Sequence, residues 1–244
     1  MRNIHLTLEY EGTDFHGWQR QPDLRTVQGT LEQAASTVLR HPVETWGCAR
    51  TDAGVHARGY VSNFHTESDY TVERMRSGLN GCLPEDVVVT AVSDVPEDFH
   101  ARFSARSRHY LFRILNRRSP PALETGKVWH VSPRLDADAM HAAAQVLVGQ
   151  HDFTTFRAAE CQAQSPVKTL DRLDVSRRAD EIHIEASARS FLHHQIRSFA
   201  GTLKLVGEGK WQPRDVKKAL EAKDRAACGP VAPPDGLYLV RINY

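Results

Sequence analysis

Paired cysteines are what this 244-residue chain most plainly lacks: Cys48, Cys82, Cys161 and Cys228 stand far apart. No C-x-x-C pair occurs, and none of the paired spacing of a zinc site, so the four read as free, mostly buried thiols. The 13 histidines include no H-E-x-x-H; on a helix, His193 and His194 would point about 100° apart. No metal is expected. A P-loop and a G-x-G-x-x-G fingerprint are also missing, which leaves no reason to expect a nucleotide cofactor. No apolar run is long enough to span a bilayer, and Met1-Arg2-Asn3-Ile4-His5-Leu6 alternates like a strand, unlike the apolar centre of a signal peptide. The expectation is no membrane and a cytoplasmic location.

Net charge is scarce as well, at +1, so the informative question is where the positive charge lies. From Phe99 to Arg118 there is no acidic residue, and Arg102, Arg106, Arg108, Arg113, Arg117 and Arg118 alternate with Phe103, Tyr110 and Phe112. That mixture suits phosphates plus unstacked bases; the plainer reading is a solvated basic strand edge. Near Pro213 a helix bearing Arg214, Lys217, Lys218 and Lys223 reads as a solvated face.

With 41% hydrophobic residues, the chain can bury a core in one large or two smaller domains. Residues 3 to 10 read as a strand, and Thr26 caps a helix with Val27, Leu31, Ala34 and Val38 at helical spacing. Strands are predicted at 43 to 49, 59 to 66 and 87 to 93, with a helix at 71 to 82. A strand at 107 to 116 places Arg108, Tyr110, Phe112 and Ile114 on one face. Asp136 caps a helix running to Val148 with Gly149 as its stop. Strands at 168 to 177 and 181 to 188 flank a polar turn, a helix at 191 to 206 carries Leu192, Ile196, Phe199, Leu203 and Val206, and a strand at 236 to 243 closes the chain. Single helices alternating with strands favour an α/β (α+β) fold of two units, each an antiparallel sheet covered on one face, divided as residues 1–104 and 105–244.

The segment most like a catalytic centre is Arg50-Thr51-Asp52-Ala53-Gly54-Val55-His56-Ala57-Arg58. A carboxylate among cations on a turn stays ionised and nucleophilic at neutral pH. The competing reading is a turn in which Asp52 caps its own backbone. Asp14 to Gln21 likewise has two readings: an RNA-contacting loop with Phe15, His16, Trp18 and Arg20, or a loop whose Trp18 packs onto the core.

Together, Tyr10 to Gln21, Arg50 to Ala57, Phe99 to Ala105, Tyr110, His151-Asp152-Phe153-Thr154-Thr155-Phe156-Arg157, Phe191-Leu192-His193-His194-Gln195-Ile196-Arg197 and Gly236-Leu237-Tyr238-Leu239 resemble the tRNA pseudouridine synthase A family along almost the whole chain. The resemblance implies two ferredoxin-like, RRM-like domains whose sheets join into one extended, mainly antiparallel surface with helices on one face and a cleft between them. It implies an isomerase that turns uridine into pseudouridine at positions 38 to 40 of the tRNA anticodon arm, working as a homodimer on tRNA without metal or organic cofactor. By the same resemblance Asp52 is the nucleophile, Tyr110 stacks on the flipped uracil and helps move the C5 proton, Arg197 pairs with the nucleophile, and Arg50 assists base flipping. His56 and Arg58 are expected to contact phosphate or to order the loop. The chain departs from the family pattern at Ala49, where glycine is usual, at Tyr60, where glutamine is common, and at Phe112, which replaces a frequent tyrosine.

Two rival readings set the test. A noncatalytic RNA-binding module explains Phe99 to Arg118 but gives Asp52 no purpose. A nucleoside hydrolase needs a second carboxylate, for which Asp14 is the candidate, and would release free uracil.

Overall fold

Residues 1–244 are all described by the computed structural model, and they fall into two compact units, residues 1–106 with 238–244, and residues 107–237. In chain order the first contains β1 (Arg2–Tyr10), α1 (Val27–Leu39), β2 (Trp46–Gly47), β3 (His56–Thr66), α2 (Val72–Cys82) and β4 (Val87–Val95). The second contains β5 (Ser107–Leu115), β6 (Trp129–His130), α3 (Ala137–Ala144), β7 (Gly149–Asp152), β8 (Val167–Arg178), β9 (Glu181–Ala188), α4 (Gln195–Gly207) and α5 (Pro213–Ala222). The last strand, β10 (Leu237–Asn243), lies in the first unit from Tyr238 onward. The expected assignment of everything after residue 104 to the second unit is therefore corrected: β10 runs parallel to β3, with Tyr238 opposite His56 and Leu239 opposite Ala57.

In the first unit the strand order is β4-β1-β3-β10, and β1 is antiparallel to both β3 and β4. The order of β4, β1 and β3, with β2 beside β3, is that of a ferredoxin-like β-α-β-β-α-β unit. Period-2 alternation puts Ile4, Leu6 and Leu8 of β1 in the core, and Val27, Leu31 and Ala35 of α1 with Met75 and Leu79 of α2 are buried as well. Thr26 caps α1 as expected, its hydroxyl accepting from the Gly29 amide at 3.3 Å. The expected strand at 43 to 49 shrinks to Trp46–Gly47, while β3 starts three residues earlier than predicted.

The second unit has the order β5-β9-β8-β7, with β5, β9 and β8 joined antiparallel. Its core is built on Phe112 and Ile114 of β5, Ile184 of β9, and a cluster of Phe153, Phe156 and Phe199 with ring centres 5.2 to 6.5 Å apart. Two helices differ from expectation. The helix capped by Asp136 ends as an α-helix at Ala144 and tightens into a 3₁₀ turn over Gln145–Leu147 before Gly149 opens β7. Helix α4 begins at Gln195, because Phe191–His194 forms a turn in which His194 has φ +62° and the Gln195 side chain accepts from the Leu192 amide at 2.8 Å. His193 and His194 therefore do not diverge around a helix; their ring centres are 4.1 Å apart. On α5, Lys217 and Lys218 project into solvent beside Glu221 and Asp215, the solvated face expected of them.

The cysteines form no disulfide; Cys48 is buried but Cys82 is exposed, so the set is less buried than its spacing suggested. No helix is long and apolar enough to cross a membrane.

Candidate active site

Between β2 and β3 the chain makes a turn closed by the Val55 amide donating to the Asp52 carbonyl at 3.2 Å. Gly54, its third residue, has φ +78°, which is the position where a type II turn needs a left-handed backbone. The turn is thus closed through the Asp52 backbone carbonyl, and the Asp52 side chain at its start is half-buried.

What distinguishes this loop is how much of the core is spent on holding it. The Thr51 hydroxyl is 2.8 Å from the Tyr10 hydroxyl, and the Thr51 carbonyl accepts from the Trp18 amide at 3.1 Å. One residue before Arg50, the carbonyl of Ala49 accepts a hydrogen bond from the Tyr60 hydroxyl. Tyr60 is fully buried, with its ring 4.1 Å from that of Trp18 and stacked on it. Gly17, at φ +86°, brings its backbone so close that a Cβ there would lie 2.5 Å from the Thr51 carbonyl oxygen. The segment Asp14 to Gln21 is therefore chiefly scaffold: Phe15 and Trp18 are buried, and only its polar residues, among them His16 and Arg20, face solvent.

Arg50 and Arg58 are exposed. The Arg58 guanidinium sits 4.8 Å from the centre of the Tyr238 ring, a cation–π contact on the surface of β3 and β10. His56 is placed otherwise: its ring is 2% exposed, stacked on Tyr238 at 4.7 Å, and its Nδ1 accepts from the Gly12 amide at 3.0 Å. Of the two roles expected for His56, this geometry supports ordering of the loop and sets aside direct phosphate contact.

In the second unit Tyr110 lies on β5 opposite Ala186, its ring meeting Phe191 edge-on at 5.2 Å. Arg197 falls in the first turn of α4, half-exposed, and its Nε donates to the Ala232 carbonyl at 2.8 Å while the Ala232 amide donates back to the Arg197 carbonyl at 3.0 Å. These reciprocal bonds fix the direction of the guanidinium fork. Arg197 does not share a helical turn with His193, which precedes the helix.

The arginines between Phe99 and Arg118 divide into two sets. Arg102 and Arg106 are exposed, with Phe103 73% exposed beside Arg102. Arg108 is buried and donates to the Arg189 carbonyl. Arg113 is held between Glu124 at 2.8 Å and Glu181 at 2.6 Å. That contact, with His183 as a second donor, holds the Glu181 carboxyl below the usual carboxylate range despite the opposing cost of burial. Sequence alone missed Tyr10, Gly17 and Tyr60 as supports of the Asp52 loop, whereas packing of Trp18 onto the core was one of its two readings.

A family model for tRNA pseudouridine synthase matches residues 7–104 and 143–244. A protein of Rhizobium meliloti strain 1021 is 56% identical over 247 residues, covering 100% of both chains. Proteins of Parvibaculum lavamentivorans and Bartonella henselae are each 54% identical, again across 100% of both chains. All three carry the name tRNA pseudouridine synthase A. With matching residues in both units and relatives aligned from end to end, the chain belongs to the tRNA pseudouridine synthase family.

Proposed function

We propose that this chain isomerises uridine to pseudouridine at positions 38 to 40 in the anticodon arm of tRNA, with Asp52 as the nucleophile. The observation that carries the reading is the fixed Asp52 loop: Tyr60 and Trp18 donate to the carbonyls of Ala49 and Thr51, and the Tyr10 and Thr51 hydroxyls share a hydrogen bond, on the approach to one half-buried carboxylate. Such a loop is ordered before substrate arrives, so little reorganisation is left for the reaction itself.

The reaction breaks the N1–C1′ bond, turns the uracil without releasing it, and joins C5 to C1′. C5 loses its proton and N1 gains one, so the atoms balance without a co-reactant. Three routes use Asp52: attack on C1′ of the ribose or on C6 of the base, each forming a covalent bond that keeps the intermediate on the enzyme, and elimination to a glycal with the uracil held in the pocket. Tyr110 stacks on the uracil, and its hydroxyl assists removal of the C5 proton. Arg197 is the cation that pairs with the carboxylate. Arg50 fills the space left when the uridine leaves the helical stack, a step that costs a few kcal/mol, and Arg58 contacts phosphate. We further propose a cytoplasmic homodimer as the working form.

Incubating unmodified tRNA with the protein and mapping pseudouridine by carbodiimide adducts and primer-extension stops tests this reading. Stops at positions 38 to 40 are expected. Bound but unaltered tRNA would replace the proposal with a noncatalytic binding module, and free uracil would replace it with a hydrolase.

A further inference from the structure

At the far end of β5 the second unit holds a cavity of about 700 Å³ with Arg117, Arg118, Arg134 and Arg177 in its wall. The only carboxylate in that wall is Asp180. It is largely exposed and stands 3.7 Å from Arg117, a distance at which a solvated pair contributes little. Four guanidinium groups against one carboxylate concentrate positive charge in a chain whose total is only +1. Arg118 and Arg134 form no ion pair within the chain.

One part of this solvent-open wall is fixed by hydrogen bonds. Arg177 donates to the Asn116 side-chain oxygen and to the Leu135 carbonyl, both at 2.8 Å. Asn116 is itself buried, and its amide nitrogen donates to Val131 and Pro133 carbonyls at 2.8 and 2.7 Å. One cation is thus locked in the wall through a buried side chain that ties three segments together, and two further cations project beside it without counter-charge.

We infer that this cavity binds phosphodiester groups of an RNA backbone, as a contact separate from the residues that carry out the isomerisation. The wall has no aromatic side chain on which a base can stack, so recognition is of phosphate and independent of sequence. Arginine suits it, because its planar fork grips phosphate oxygens two at a time. The inference rests on the proposed action on tRNA, and its failure is separable from a failure of that reading.

The test compares wild type, Arg118→Gln/Arg134→Gln and Arg118→Lys/Arg134→Lys for binding of full-length tRNA across a salt series, with inorganic phosphate as a second ligand followed by thermal shift. Loss of two phosphate contacts should lower tRNA affinity about tenfold and reduce the slope of log K against log salt by about 2, roughly 0.9 for each contact. The lysine variant should recover most of the slope. An unchanged slope and affinity in the glutamine variant, with wild type binding and modifying tRNA, overturns the cavity assignment alone. A phosphate-induced thermal shift lost in the glutamine variant while its tRNA binding stays intact would make this a small-anion site and overturn it as well. Failure of wild type to bind tRNA at all would overturn both readings.

Discussion

The phenol of Tyr60 donates to the carbonyl of Ala49, so the strand end that leads into Arg50 and Asp52 hangs from a buried ring stacked on Trp18. A side chain at this depth cannot move without moving its neighbours, because interiors are close-packed. The position of Asp52 is therefore set in part by the buried residues Tyr60 and Trp18. The Tyr60 phenol reaches the Ala49 oxygen from β3.

Tyr60→Phe keeps the ring and deletes the hydrogen bond. The expected stability loss is about 1 kcal/mol, read from the denaturant midpoint. The single-turnover rate should fall about tenfold, as expected when a catalytic group is slightly displaced. A rate equal to wild type would show that the Ala49 contact does not position the loop.

Two glycines separate strain from steric contact. Gly17 has φ +86° and a Cβ there would meet Thr51, whereas Gly209 has φ +72° with open space around it. Gly209→Ala should cost ~1 kcal/mol, the backbone term alone. Gly17→Ala should cost about 2 kcal/mol or more and also lower the single-turnover rate, since the loop must give way. Equal losses in the two variants, with no rate effect, would contradict the contact between Gly17 and the Asp52 loop.

Stability of the second unit should depend on pH through Glu181. Hydrogen bonding from Arg113 lowers its folded-state pKa, so the carboxylate contributes stability above the unfolded value of about 4.3 and loses it as pH falls through the lower folded value. Glu181→Gln should therefore be less stable than wild type at pH 7, by about 2 kcal/mol, and the difference should narrow as pH falls below the unfolded value of about 4.3. A difference that stays constant from pH 7 to pH 3 in paired urea titrations would contradict this.

Arg197→Ala should reduce the single-turnover rate about 100-fold, within the range for loss of a directed charge contact. Arg197→Lys should recover little of it, because an ammonium cannot reproduce both the bond to Ala232 and a directed fork. Thermal melts of both variants separate this from unfolding. Wild-type turnover in Arg197→Lys would mean that charge alone suffices.

The elements with strong local signals were legible. Thr26 as a cap, the alternation of β1, and the turn between β8 and β9 follow from capping, period and turn chemistry. The departures arise where a distant partner outweighs the local pattern. Phe191 to Val206 has helical periodicity throughout, yet the Gln195 side chain ties back to Leu192 and delays α4 to residue 195. Nothing within Tyr238 to Asn243 marks it as a partner of β3, because pairing across almost the whole chain leaves no local trace. At the site, motif resemblance picked out Asp52, whereas Trp18 had two balanced readings that its stacking on Tyr60 resolves. Arg108 and Arg113 read as part of an RNA-facing patch until their burial and ion pairs are seen.

The most direct test of the central claim is tritium release from tRNA carrying [5-³H]uridine, comparing wild type with Asp52→Ala, since C5 must lose its hydrogen as it becomes the glycosidic carbon. Release by wild type and none by Asp52→Ala, with tRNA binding retained in both, is the predicted result. Release by Asp52→Ala at the wild-type rate, or release by neither protein despite binding, would contradict Asp52 as the nucleophile of a uridine isomerase.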